Sequence, residues 1–131
     1  MKQAIKILGK ILGLTLAISS TAHAQGLEEF YRGRNVQVII PNATGGSFDL
    51  YGRLVARHIG RFLPGTPNMV AQNMPGAGGM IAGELVAKAP ADGHTLFFTA
   101  NAPILFSPMV YGRTPYIWHR DFVAVAPVSY T

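Results

Sequence analysis

The chain has 131 residues, of which 49% are hydrophobic and 13% charged, a composition that favours a compact globular protein over a disordered one. It contains no cysteine, which excludes disulfide bonds, thiolate zinc sites and a cysteine nucleophile. The formal charge of +5 depends largely on three lysines in the first ten residues, so the basic balance does not indicate a nucleic-acid partner.

The first 24 residues have the pattern of a secretory signal peptide. A lysine-bearing start precedes the short apolar run from Ile11 to Ile18, and the small-residue sequence Ala22-His23-Ala24 follows. This pattern predicts export and cleavage after Ala24. A membrane anchor is the alternative, but a spanning helix needs about 20 apolar residues and this run is far shorter. We therefore expect one domain in residues 25–131.

The next segment has the pattern of a strand followed by a helix. Val36 to Ile40 is β-branched and apolar, which is typical of a strand buried on both faces of a parallel sheet. Ser47 is a suitable N-cap, Asp49 suits the first helical turn, and Pro64 ends the helix pattern. The helical spacing predicts one apolar face made of Leu50, Tyr51, Leu54, Val55, Ile59 and Phe62.

The same pattern then repeats along the chain. Met69 to Gln72 predicts a strand, Met80 to Ala89 a helix, Thr95 to Thr99 a third strand, and Phe122 to Val128 one more. Strands that alternate with helices predict an α/β fold with a parallel sheet and right-handed crossovers. In such sheets ligands bind beyond the carboxyl ends of the strands, where the small-residue loops of this chain fall.

Two of these loops are rich in glycine and each leads into a helix. They span Pro41 to Asp49 and Met74 to Gly79. Unpaired amides at helix N-termini attract anions, so two such loops side by side predict an anionic ligand, with a carboxylate as the first candidate. Either loop alone is equally explained by glycines that form tight turns. Thr99 and Asn101 after the third strand are candidate hydrogen-bond donors or ordinary turn residues.

Asp49 has two interpretations. Its charge either stabilises the helix N-terminus or contacts the ligand through an ammonium group or a water molecule. Arg53, Arg57 and Arg61 form a stripe along the same helix, which is typical of a solvated face.

Patterns for other chemistries are missing from the sequence. Ile81 occupies the third glycine position of a dinucleotide fingerprint, and no Gly-Lys-Ser/Thr follows either loop. The spacing of His58, His94 and His119 fits no metal site, and no Gly-x-Ser-x-Gly motif occurs. We therefore expect no cofactor, no metal and no catalysis, while a small periplasmic hydrolase and a stand-alone interaction module remain the alternatives.

Several segments together resemble the substrate-binding proteins of tripartite tricarboxylate transporters, also called Bug receptors. The resemblance covers about Phe30 to Val128, and the run Asn73-Met74-Pro75-Gly76-Ala77-Gly78-Gly79 in its strand-to-helix setting is the more specific part. The other segments are Val38-Ile39-Ile40-Pro41, Gly45-Gly46-Ser47-Phe48-Asp49, Tyr51-Gly52-Arg53-Leu54 and Ala91-Asp92-Gly93-His94-Thr95-Leu96.

The resemblance implies a two-lobed periplasmic receptor of the flytrap type that delivers a small carboxylate to a membrane permease and is monomeric at full length. It implies ligand contacts from both glycine loops and from the segment after the third strand. These residues are Thr44, Gly45, Gly46, Ser47, Asp49, Met74, Pro75, Gly76, Ala77, Gly78, Thr99, Asn101 and Ala102.

The chain departs from the family pattern in two respects. Thr44 stands where a proline is common, and the chain is about half as long as the family's members or less. We therefore expect residues 25–131 to be the N-terminal part of the first lobe, with the second lobe missing, and to bind ligand weakly or not at all alone.

Overall fold

A computed structural model describes residues 21–101, 105–112 and 115–128. Within these ranges the chain forms two compact units, one of residues 21–35 and 59–68 and the other of residues 36–58 and 69–128. Most of the predicted leader, residues 1–20, lies outside the described residues, so the predicted cleavage after Ala24 stays a prediction.

Helices and strands alternate along the described chain as the sequence predicts. Two short 3-10 turns, Gly60–Phe62 and Ala77–Gly79, separate some of them. The elements are α1 (Thr21–Tyr31), β1 (Asn35–Ile40), α2 (Ser47–Ile59), β2 (Asn68–Asn73), α3 (Met80–Lys88), β3 (Thr95–Phe97), α4 (Ser107–Val110) and α5 (Trp118–Asp121). Within the described ranges, no helix combines the length and the apolar character needed to cross a membrane.

The first unit contains α1 and the start of β2. An i,i+4 ion pair joins Glu28 on α1 to Arg32, which directly follows the helix. The backbone amide of Asn68 donates to the carbonyl of Arg34 over 3.1 Å, and its side-chain amide donates to Asn35 Oδ1 over 2.9 Å. These bonds pair the first residue of β2 with the residues that open β1.

A three-stranded sheet organises the second unit, with β1 between β2 and β3. β1 and β3 run parallel, in a register that pairs Val38 with Leu96. The central position of β1 explains why its four aliphatic side chains are all at most 1% exposed, although Gln37 points to solvent. The predicted α/β fold with a parallel sheet is therefore confirmed, and full burial of β1 on both faces is wrong at Gln37.

Helix α2 packs on the sheet through small residues, so the predicted apolar face is wrong for four of its six members, while Val55 and Ile59 are half-buried. Its buried residues are Asp49, Gly52 and Ala56, whereas the larger side chains of Leu50, Tyr51 and Leu54 are more than half exposed. A Cβ atom at Gly52 would lie 2.6 Å from Ile40 Cδ1 on β1. The absence of a side chain at position 52 thus lets the helix approach the sheet closely, and the bulky residues take the outer face.

The predicted fourth strand is also not present in the structure. Residues 122–128 are described without strand pairing, and Val123 and Val125 are 90% and 79% exposed. The start of this segment is nevertheless anchored, because the ring of Phe122 stacks on Phe97 and meets Tyr116 edge-on at 5.3 Å between centroids. The apolar residues of this segment thus provide one half-buried aromatic contact at Phe122 and form no ladder of strand hydrogen bonds.

The close approach at Gly52 generates a stability prediction. Gly52→Val should lower the unfolding free energy by about 2 kcal/mol, because added methyl groups overlap the fully buried Ile40. Arg57→Val is the matched control on the exposed side of the same helix and should cost only about 0.5 kcal/mol through helix propensity. Urea unfolding followed by circular dichroism measures both losses, and equal losses would contradict the packing argument.

Candidate functional site

Both glycine-rich loops emerge at the same edge of the sheet. Loop one (residues 41–46) follows β1 and loop two (residues 74–79) follows β2. The amide of Met74 donates to the carbonyl of Ile40 over 2.8 Å, and the side chain of Asn73 donates to the carbonyl of Asn42 over 2.9 Å. The two loops are therefore neighbours, as the parallel-sheet prediction requires.

Asp49 lies at the junction of these loops and is only 4% exposed. Its Oδ2 accepts a hydrogen bond from the amide of Gly45 over 2.8 Å. Its Oδ1 accepts bonds from Arg53 Nε and from Asn73 Nδ2, both over 2.8 Å. Arg53 Nη2 also donates to Asn73 Oδ1 over 2.5 Å. We call Asp49, Arg53 and Asn73 with the backbone of Asn42 and Gly45 the Asp49 cluster.

The surroundings of Asp49 hold its carboxyl group in the ionised form. The backbone amide of Gly45 contributes most to lowering its pKa below the ordinary value of 3.8, and the bonds from Asn73 and Arg53 add to this against the effect of burial. The positive charge of Arg53 compensates the carboxylate directly. A second anion at the loops is consequently not repelled by an uncompensated charge.

Loop two has a backbone conformation that few residues other than glycine adopt. Four consecutive residues have positive φ angles, namely Gly76 (140°), Ala77 (45°), Gly78 (61°) and Gly79 (91°). Ala77 is the non-glycine member, and such a conformation costs it about 1–2 kcal/mol. The Gly79 amide bonds to the Gly76 carbonyl over 2.9 Å, and α3 begins directly afterwards at Met80. The glycine-rich sequence is thus required by the path of the chain itself.

The structure brings most of the predicted site residues to this edge. In and after loop one, Thr44, Gly45, Gly46 and Ser47 are exposed, whereas Asp49 is buried in its cluster. In loop two, Met74 and Gly76 are half-buried, and Pro75, Ala77 and Gly78 are exposed. The Gly45 amide is bonded to Asp49, so in this structure it holds the shape of loop one.

The third predicted segment lies beside the start of α2. The ring of Phe98 meets that of Phe48 edge-on, with 6.1 Å between centroids. Thr99 follows directly, half-buried, and its hydroxyl donates to the Ala100 carbonyl over 3.3 Å. Asn101 is exposed, and Ala102 lies outside the described residues.

Two residues of the Asp49 cluster are missed by the sequence analysis. The sequence pattern places Arg53 in a solvated stripe, yet it bonds both Asp49 and Asn73. Asn73 is predicted only as the start of the loop-two motif. The spacing of four residues between Asp49 and Arg53 is the signal that indicates an ion pair on one helix face. No comparable local signal links Asn73 to Asn42, which lies 31 residues away.

Comparison with known proteins identifies the family. The sequence profile described as "Tripartite tricarboxylate transporter family receptor" matches residues 52–131, which is more than half of the chain. The chain belongs to this receptor family. Members of this family are receptors in transport. Among the described residues, no group of side chains has the arrangement of a metal site.

The receptor-family relatives are considerably longer than this chain. Protein BugT of Bordetella pertussis is 35% identical over 91% of the chain and 36% of its own length. The UPF0065 protein in the tcbD-tcbE intergenic region of Pseudomonas sp. strain P51 is 34% identical over 88% of the chain and 33% of its length. The chain thus spans about a third of these receptors' length.

Two solved structures also match part of the chain. One is R. palustris Rpa4515 with adipate, 35% identical over 50% of this chain and 21% of that one, with a TM-score of 0.46. The other is a periplasmic transporter structure, 40% identical over 51% of this chain and 22% of that one, with a TM-score of 0.47.

The lowered pKa of Asp49 generates a prediction on acid stability. Because the folded-state pKa lies below the unfolded value, the stabilisation by ionised Asp49 is complete above about pH 4 and is lost as the pH falls through the folded-state pKa. Asp49→Asn should therefore be less stable than the wild type at neutral pH, with a difference that shrinks in acid. Asp92→Asn, in an exposed turn, is the control. A pH-independent difference between wild type and Asp49→Asn in urea unfolding would refute this.

Proposed function

We propose that the chain supplies the ligand-capturing loops of an exported solute receptor that binds a small organic carboxylate for a membrane permease. The observation that carries the proposal is the pair of glycine-rich loops at one sheet edge, joined by the Asp49 cluster. Membership of the receptor family supports the role in transport. The signal-peptide pattern of the first 24 residues supports delivery to the periplasm.

The physical basis for anion capture is the start of two helices beside the loops. Helix α2 has 13 residues and begins at Ser47, and α3 has nine and begins at Met80. The N-terminus of a helix carries a partial positive charge and amides without intrahelical partners, which favour a carboxylate. Two such termini after neighbouring strands suit a ligand with more than one carboxylate group.

The remaining parts of the mechanism depend on the complete receptor. We infer that a second lobe closes over the loops and that its side chains select among di- and tricarboxylates. A receptor that works in this way needs no cofactor and performs no chemical step. A hydrolase gains no support from the site, because Asp49 bonds to Gly45, Arg53 and Asn73 and so does not orient a histidine.

Binding is tested by titrating the ¹⁵N-labelled chain with citrate, succinate and adipate in NMR. We expect weak, fast-exchange shifts confined to the amides of residues 44–49, 74 and 76–78, because only one side of the cleft is present. Succinamide, which has the size of succinate without its charge, is the control and should cause no such shifts. Shifts elsewhere, equal shifts with succinamide, or micromolar affinity of this chain alone would contradict the proposal.

A matched pair of glycine variants separates ligand binding from stability. Gly45 in loop one (φ 89°) and Gly33 in the first unit (φ 69°) both have positive φ angles, and at both positions an added Cβ atom would meet open space. Alanine at either position should cost about 1–2 kcal/mol of stability. Only Gly45→Ala should also weaken the citrate-induced shifts, because it distorts loop one. Equal citrate affinity of the two variants would show that loop one does not bind the ligand.

Export is tested by expressing the chain in a Gram-negative host and analysing the periplasmic fraction. Cleavage after Ala24 should give a product whose N-terminal residue is Gln25. Lys2, Lys6 and Lys10 replaced together by glutamate should retain the uncleaved protein in the cytoplasm, because the charged start is lost. Recovery of the wild-type chain only in uncleaved form would contradict the signal-peptide assignment.

A further inference from the structure

The side-chain amide of Asn73 joins three parts of the second unit. Its Nδ2 donates to the carbonyl of Asn42 in loop one and to Asp49 Oδ1 on α2, over 2.9 and 2.8 Å. Its Oδ1 accepts the bond from Arg53 Nη2 over 2.5 Å. Asn73 is itself the last residue of β2, and loop two begins at the next residue. The side chain of Asn73, directly before loop two, thus bonds to both loop one and α2.

These contacts use the particular chemistry of an asparagine. An amide has two N–H donors and a carbonyl acceptor on one short side chain, and all three groups are engaged here. Aspartate has the same shape but lacks both donors when it is ionised, and alanine lacks all three groups. Within the Asp49 cluster, Asn73 is the β2 residue whose side chain bonds to the backbone of loop one.

We infer that Asn73 is a positioning residue that fixes the spacing between loop one and loop two, and that carboxylate affinity depends on this spacing. The inference rests on the proposed function for its second part only. The first part concerns the loops themselves, which can be followed without a ligand through the Gly45 amide that bonds to Asp49. Asn73 acts through the loops and is not assigned a direct contact with the ligand.

A charge placed at position 73 gives a signature that loss of stability alone does not produce. The charged groups that face this side chain are Asp49 and Arg53, both from α2, with the carbonyl of Asn42 opposite. In Asn73→Asp two carboxylates face each other across the former hydrogen bond. Repulsion between the two carboxylates favours uptake of one shared proton, while the adjacent positive charge of Arg53 opposes it, and the shared proton restores a donor between them.

The experiment compares wild type, Asn73→Asp, Asn73→Ala and Asn68→Asp by NMR between about pH 7 and about pH 4, the lower limit being close to the ordinary carboxyl pKa. Asn68→Asp is the matched control, because Asn68 is an exposed asparagine at the other end of β2. Its described side-chain hydrogen bond goes to Asn35 and not to the Asp49 cluster. The two measured quantities are hydrogen exchange of the Gly45 amide and the Kd for citrate, each as a ratio to wild type at the same pH.

At neutral pH we expect both Asn73 variants to exchange the Gly45 amide faster and to bind citrate about tenfold more weakly than wild type, as loss of hydrogen bonds to a charged group implies. Only Asn73→Asp should recover towards wild type as the pH falls. Asn68→Asp should stay at the wild-type ratio throughout. If Asn73→Asp does not fold at neutral pH, Asn73→Ala still tests the loss at Gly45.

The inference would be overturned if Asn73→Ala had the Gly45 exchange rate and the citrate Kd of wild type. It would also be overturned if a folded Asn73→Asp did not approach the wild-type exchange rate and Kd as the pH falls. The outcome also separates the two proposals. If wild type shows no citrate shifts at the loops, carboxylate binding by this chain alone fails, and the second part of the inference fails with it. Faster Gly45 exchange in the Asn73 variants would in that case still establish that Asn73 holds the two loops together.

Discussion

The architecture of the candidate site depends on one buried carboxylate. Asp49 accepts three hydrogen bonds, from a loop amide, from an arginine on its own helix and from an asparagine at the end of a neighbouring strand. Burying an ionised carboxylate is unfavourable unless such partners surround it, so the partners must stay in place while the chain is folded. The carboxylate therefore converts two separate turns into one structure with a defined gap between them.

Charge compensation explains how an acidic residue fits within the proposed anion site. The positive charge of Arg53 and the donors of Gly45 and Asn73 satisfy Asp49 from inside the protein. The helix termini after loop one and loop two then present their partial positive charge without competition from an unpaired anion. In this arrangement Asp49 organises the backbone of loop one and the end of β2, a role that neither of its two sequence interpretations includes.

Local sequence patterns predict most of the elements, although not the absence of strand pairing after Phe122, because they report burial and turn formation directly. The apolar run of β1, the helix start at Ser47 and the glycines of loop two each specified the correct element. Periodicity failed where tertiary contacts decided the outcome. For α2, apolar spacing indicated one face, but the close approach to Ile40 selected the face with Gly52 and Ala56. No pattern within α2 alone gives the distance between a helix and a sheet.

The site was predictable to the same degree and for the same reason. Adjacent loops at the carboxyl ends of parallel strands follow from topology, so their proximity was expected from the sequence. The bond between Asn73 and Asn42 joins residues 31 positions apart, and its existence depends on the register of β2 against β1. The sequence predicts that the two loops are neighbours, and no pattern in it supplies the side chain that joins them.

The contact between Gly52 and Ile40 has a consequence for engineering this receptor. Gly52 lies within one helical turn of Asp49, on the same buried face of α2. The distance between α2 and β1 at Gly52 therefore governs where the Asp49 carboxylate lies relative to its hydrogen-bond partners. Paired volume changes at positions 40 and 52, one larger and one smaller, offer a way to shift Asp49 relative to its partners without altering any residue of the two loops.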